Sequence, residues 1–210
     1  GCRAVGIDLD PKRIRESREN ALKEGMSARV TFLQQDLFDS DLGEADVVML
    51  FLYPRVNLRL RPKLLSELKP GTRVVSHSHT MGEWEPDKKA RVEYRNLYLW
   101  VIPGWVAGKW EWEADLGRGE EKFTMELQQE YQNVTGTINS AQDRRGLKRG
   151  KLNGTRFTFS TGKKADLRFD GNVAGDRIKG KIRTRSGEVP WEARRVSGGE
   201  KVSYFKILDF

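Results

Sequence analysis

Two periodicities divide this sequence. Up to residue 103, short apolar runs alternate with segments whose apolar side chains recur every three or four positions, the spacing of one helix face. From Gly108 on, apolar and polar residues alternate one by one, and 14 of the 21 glycines fall there, so strands and turns are expected in place of helices. The junction is placed in "PGWVAG", residues 103–108, where Pro and Gly interrupt both patterns. Two domains are expected: residues 1–106, mixed α/β, and residues 107–210, all β.

In the first part, Ala4, Val5 and Ile7 around Gly6 predict a strand covered on both faces that stops at Asp8. Asp10 then suits a helix cap and Pro11 the first helical position, with Ile14, Ala21 and Leu22 on the inward face and Gly25 as the stop. "RVTFLQQD" predicts a second strand ending in an acid, Asp36, and "ADVVMLFLY" a third, apolar almost throughout and therefore central. "VNLRLRPKLLSELKPG" predicts a helix with Leu60, Leu64, Leu65 and Leu68 inward, bent or restarted at Pro62. "KPGTRVVSHS" returns to the sheet, and "ARVEY" with "NLYLWVIP" predicts a closing hairpin. Strand-helix-strand units followed by a hairpin imply a parallel sheet with an antiparallel edge.

The second part reads as consecutive short strands: "WEWE", "KFTMELQQE", "NVTGTIN", "TRFTFST", "ADLRFDG", "RIKGKIRT", "VPWEARRV" and "KVSYFKIL". Trp110 with Trp112, and Phe157 with Phe159, keep the spacing of two that one strand face demands, so these rings are expected inside together with Phe169 and Trp191. An antiparallel barrel or a sandwich fits. "RRGLKRGK", residues 144–151, is expected as a solvated hairpin tip.

Charge sharpens the division. Residues 1–106 carry 17 Lys and Arg against 15 Asp and Glu, and residues 107–210 carry 21 against 15, so the net +8 splits as +2 and +6. The basic half could meet phosphate or an acidic protein, which keeps a polyanion-binding reading open. The lone Cys2 excludes an internal disulfide. No apolar run approaches the roughly 18 residues of a membrane helix and no charged-then-apolar leader opens the sequence, so a cytoplasmic setting without membrane contact is the expectation. His77 and His79 would share one face of an extended strand, but no third metal ligand is evident, and no metal is expected.

The segments "AVGIDLDPKRIRESRENALKEG", "VTFLQQDLFD", "ADVVMLFLYP" and "LLSELKPGTRVVSH" follow one another in an order that resembles class I S-adenosylmethionine-dependent methyltransferases, whose fold is a Rossmann-like α/β sheet. The stretch from Val47 to Asp87, with "MGEWEPD", is more particularly similar to the lysine methyltransferases that act on the ATP synthase c-subunit. The resemblance covers about half of the chain. The strands beyond residue 107 vaguely resemble lipocalin- or avidin-like barrels.

The first resemblance implies S-adenosylmethionine as cofactor. It implies that Asp8 takes the ribose hydroxyls, that Asp36 accepts from the adenine amino group, and that Leu9 and Leu37 flank the adenine. A carboxylate offers only acceptors, which agrees with both roles. Tyr53 falls where such enzymes address the methyl acceptor. Tyr53-Pro54 departs from the Asn-Pro-Pro-Tyr pattern of enzymes that methylate amino groups on nucleobases, so a protein side chain or small molecule is expected as substrate rather than nucleic acid. These enzymes also carry a first strand and a glycine-rich loop ahead of the position that Ala4–Asp8 occupies. This sequence shows neither, and the expectation is an N-terminally truncated methyltransferase domain with weak or absent cofactor binding as it stands. The alternative is a nonenzymatic binding module that uses the barrel for a small ligand.

Overall fold

A computed structural model describes residues 1–117, 119–141, 143–162 and 167–198. The chain divides into two compact units, Gly1–Glu44 and a second that starts at Ala45.

In the first unit, β1 (Ala4–Asp8) and β2 (Val30–Gln34) run parallel with Ala4 opposite Val30 and Asp8 opposite Gln34, joined through α1 (Pro11–Lys23). The Asp10 side chain accepts from the Lys12 backbone N–H at 2.8 Å, so the expected cap is formed. Gly6 lies beneath the Phe32 ring, where a β-carbon would come within 2.7 Å of it. On α1, Ile14 is buried as expected, but Leu22 is 72% exposed. The helix face defined by Ile14 does not extend to its last turn.

The second unit opens with β3 (Val47–Leu50), α2 (Pro54–Glu67), β4 (Arg73–His77), β5 (Lys88–Val92) and β6 (Arg95–Val101). The sheet order is β3-β4-β6-β5, with β3 and β4 parallel and the other pairs antiparallel. The helical leucines Leu60, Leu64 and Leu65 and the cap residue Leu68 are buried. Pro62 sits inside one continuous helix, not at a restart. The single α/β sheet expected from the sequence is therefore corrected to two separate sheets, of two and four strands. The reason lies in the ladders: among the described residues β1 pairs only with β2, and β3 only with β4.

From residue 108 the chain forms β7 (Gly108–Asp115), β8 (Glu120–Glu130), β9 (Asn133–Asn139), β10 (Arg144–Gly146), β11 (Lys148–Asn153), β12 (Arg156–Thr161), β13 (Leu167–Ala174), β14 (Arg177–Arg183) and β15 (Glu188–Ser197). Each pairs antiparallel with a neighbour, and β15 returns to β7 through Arg194 opposite Glu111, which closes the sheet into a barrel. The expected hairpin tip at residues 144–151 is instead two strands, both laid against β9. Gly150 allows that approach, because a β-carbon there would meet the Val134 carbonyl oxygen at 2.2 Å. "KVSYFKIL" lies outside the described residues.

The barrel interior is aromatic. Trp110, Trp112, Phe157, Phe159, Phe169 and Trp191 are all buried, as the alternation predicts. Phe159 stacks on Phe169 at 4.3 Å and Trp191 meets both edge-on. Fully burying side chains of this size contributes on the order of 1.5–3 kcal/mol each.

The four-stranded sheet docks on this barrel. Trp84, between β4 and β5, is fully buried and stacks on Tyr131 of the β8–β9 turn at 5.9 Å. The connecting segment is held by Arg195, whose guanidinium lies 4.2 Å over the Trp110 ring and donates to the Trp105 and Ala107 carbonyls. None of the described helices is long and apolar enough to cross a membrane.

Candidate functional site

Parallel strands end with their carbonyl edges on the same side, and in open α/β sheets ligands collect outside those ends. In the first unit that edge carries two acids. Asp8 is the last residue of β1, and its carbonyl accepts from the Gln35 N–H at 3.2 Å. Asp36 follows β2 by two residues. The fold thus places Asp8 and Asp36 at adjacent strand ends.

Each carboxylate is oriented by one backbone N–H. Asp8 Oδ1 accepts from Asp10 at 2.9 Å and Asp36 Oδ1 from Phe38 at 2.9 Å. A carboxylate has roughly four acceptor positions, so both retain capacity for hydroxyl or amine donors. The loop after Asp36 is braced by Ser40, which donates to the Asp36 carbonyl at 3.0 Å and accepts from the Gln35 side-chain amide at 2.5 Å. Leu9 is 65% exposed beside Asp8, and Leu37 is half-buried beside Asp36. An apolar side chain left open next to an acid suits a flat ring with polar edges. These four residues fit the nucleoside part of S-adenosylmethionine: acceptors for hydroxyl and amino groups, and aliphatic surface for a ring.

In the second unit the ends of β3 and β4 carry a different set. Tyr53 stands at the N-cap of α2 and is 80% exposed, with its carbonyl accepting from Val56 and Asn57. Phe51, 82% exposed, packs on the His77 ring at 4.7 Å. The Ser78 hydroxyl lies 3.2 Å from His77 Nδ1. Asn57 is fully buried, and its amide donates to Ser76 at 3.0 Å.

The pairing of Phe51 with His77, and of Asn57 with Ser76, is not legible in the sequence. The parallel register sets Leu50 opposite Ser76, so Phe51 meets His77 at the next step, and no local pattern announces this. The one-faced histidine pair does not form. Ser78 takes a φ of 67°, which ends the extended backbone and turns His79 away from the strand's repeat. Among the described residues no group of three or more His, Cys, Asp or Glu side chains is arranged to hold a metal.

Residues 1–88 match the family described as the ANTKMT methyltransferase domain. A protein-lysine N-methyltransferase of Saccharolobus islandicus (strain REY15A) is 43% identical over 104 residues, which is 48% of this chain and 65% of that protein. The lysine N-methyltransferase of the ATP synthase c-subunit from Homo sapiens is 29% identical over 122 residues, 58% of this chain and 47% of that protein. Among solved structures, an RNA methyltransferase from Salinibacter ruber in complex with S-adenosyl-L-homocysteine is 46% identical, with a TM-score of 0.48, covering 50% of this chain and 68% of that one. The chain thus spans between about half and two thirds of the length of the two curated relatives.

Proposed function

We propose that this chain serves the S-adenosylmethionine-dependent methylation of a protein lysine side chain. The observation that carries the reading is the pair of strand-end acids, Asp8 and Asp36, lying within the residues that match a methyltransferase domain. The likeness to two lysine N-methyltransferases supports the substrate class.

When bound, S-adenosylmethionine would supply a sulfonium methyl group whose carbon an amine nitrogen attacks in line, the N–C bond forming as the C–S bond breaks and its electron pair leaves with the thioether sulfur. The chain's own contribution is then positioning rather than a nucleophile. Asp8 holds the ribose hydroxyls and Asp36 the adenine amino group, each already aimed by its backbone donor. Leu9 and Leu37 cover the ring faces. Tyr53, exposed at the head of α2, addresses the acceptor amine, which must shed its proton before it can attack.

The test is calorimetric titration of S-adenosylhomocysteine into the full-length product of the reading frame, with Asp8→Ala beside it. Losing the carboxylate pair of hydrogen bonds should weaken binding by about 1–3 kcal/mol, roughly 5- to 150-fold. Equal affinity in the variant would remove Asp8 from the site. Absence of binding by the unmodified protein would overturn the methyltransferase reading.

A further inference from the structure

The barrel end where β7 turns into β8 and β14 into β15 opens into a cavity of about 330 Å³. Phe123, Ile138, Leu167 and Phe169 form its apolar wall. Among the described residues that line it, Glu121 and Asp143 accompany Arg145 and Arg185, one acid for each base. Thr161 also lines the cavity. It is 1% exposed, and among the described residues its hydroxyl has no hydrogen-bond partner.

The rings behind the wall show the same shortage. The indole N–H groups of Trp112 and Trp191 are buried without an acceptor among the described residues. Trp112 stacks on Phe123 at 5.2 Å, and Trp191 meets Phe169 edge-on at 5.2 Å, so both belong to the aromatic cluster that backs the cavity. Three other indoles of the chain are paired: Trp84 with the Gln132 side chain, Trp100 with the Trp84 carbonyl and Trp110 with the Val106 carbonyl. Native interiors rarely leave buried donors unmatched. Of these three, Thr161 lines the hollow while the two indoles lie behind its wall, and the described residues supply no acceptor to any of them.

We infer that this end of the barrel binds a small, uncharged, planar aromatic molecule carrying a hydrogen-bond acceptor such as a ring carbonyl. The stacked rings favour a flat apolar body. The Thr161 hydroxyl, buried and unmatched on the lining, calls for an acceptor on it, and among the described lining residues the acids and bases balance and so favour no ion. The volume lies at the small end of the range for ligand sites. This site is independent of the methyl-transfer reading and stands or falls separately.

The test uses the full chain labelled with nitrogen-15 and coumarin as the probe, followed through the indole N–H signals. Those of Trp112 and Trp191 should shift and saturate with one equivalent bound, while those of Trp84, Trp100 and Trp110 stay in place. Thr161→Val should weaken the coumarin affinity about fivefold, the loss of one hydrogen bond. Leu167→Trp, which fills the wall, should weaken it by at least about tenfold, with unmoved Trp84 and Trp110 signals reporting an intact fold. Unshifted Trp112 and Trp191 signals at millimolar coumarin would mean that the hollow holds water only, and would overturn the proposal. So would a uniform shift of all these indole signals, or full affinity in Leu167→Trp.

Discussion

The indole of Trp84 donates to the side-chain oxygen of Gln132 at 2.9 Å, and neither residue is more than 1% exposed. The same glutamine donates to the Glu85 carbonyl at 2.7 Å, so one amide satisfies both polarities of the segment between β4 and β5. The contact bridges 48 residues of sequence and joins the four-stranded sheet to the barrel.

Gln132→Leu should therefore strand a buried indole donor and the carbonyl acceptor that the amide serves. The expected loss is about 1–3 kcal/mol for each unmatched group, read as a lower denaturant midpoint. A midpoint within error of the unmodified protein would show that water replaces the amide.

Gly180 lies opposite Gly171 on one side and Trp191 on the other. A β-carbon at Gly180 would fall 2.0 Å from the Asp170 carbonyl oxygen and 2.4 Å from the Gly171 α-carbon, both backbone atoms that cannot step aside. Gly180→Ala should force the two strands apart and lower stability by about 1–3 kcal/mol or more, with loss of the dispersed Trp191 signal. Unchanged urea unfolding would contradict the register.

Asp87 tests the pH dependence. Burial pushes its carboxyl above the ordinary value of 3.8, against the opposing pull of the Val101 N–H and of Lys151. A raised folded value means that the unfolded chain ionises first. Stability contributed by Asp87 is thus full below 3.8 and declines as pH rises towards the folded value. Asp87→Asn keeps an acceptor for Val101 and removes the charge. Relative to the unmodified protein it should gain stability as pH rises through 3.8, and a flat or opposite difference in thermal unfolding across that rise would refute the assignment.

Tyr53 separates chemistry from folding. With its ring 80% exposed, Tyr53→Phe should change stability by less than about 0.5 kcal/mol. If Tyr53 addresses the acceptor, methyl incorporation into a lysine peptide, followed by mass spectrometry, should fall while S-adenosylhomocysteine affinity holds. Equal incorporation would leave Tyr53 as a surface aromatic only.

What the sequence determined by itself is the local order. The Asp10-Pro11 start of α1, the inward leucines of α2 and the paired rings at 110/112 and 157/159 follow from short-range geometry, since a helix repeats its faces every 3.6 residues and a strand every two. Asp8 and Asp36 were legible for the same reason, as acids that end apolar runs. Tertiary structure alone decided barrel over sandwich, through the closure of β15 on β7 that sets Arg194 opposite Glu111. It alone exposed Leu22, drew residues 144–151 into the ladder on β9, set Phe51 on His77, and left Thr161 on the wall of a hollow, with Trp112 and Trp191 behind that wall, without hydrogen-bond partners among the described residues. Those outcomes depend on which distant surfaces exclude water together, and periodicity along the chain carries no record of the partner across it.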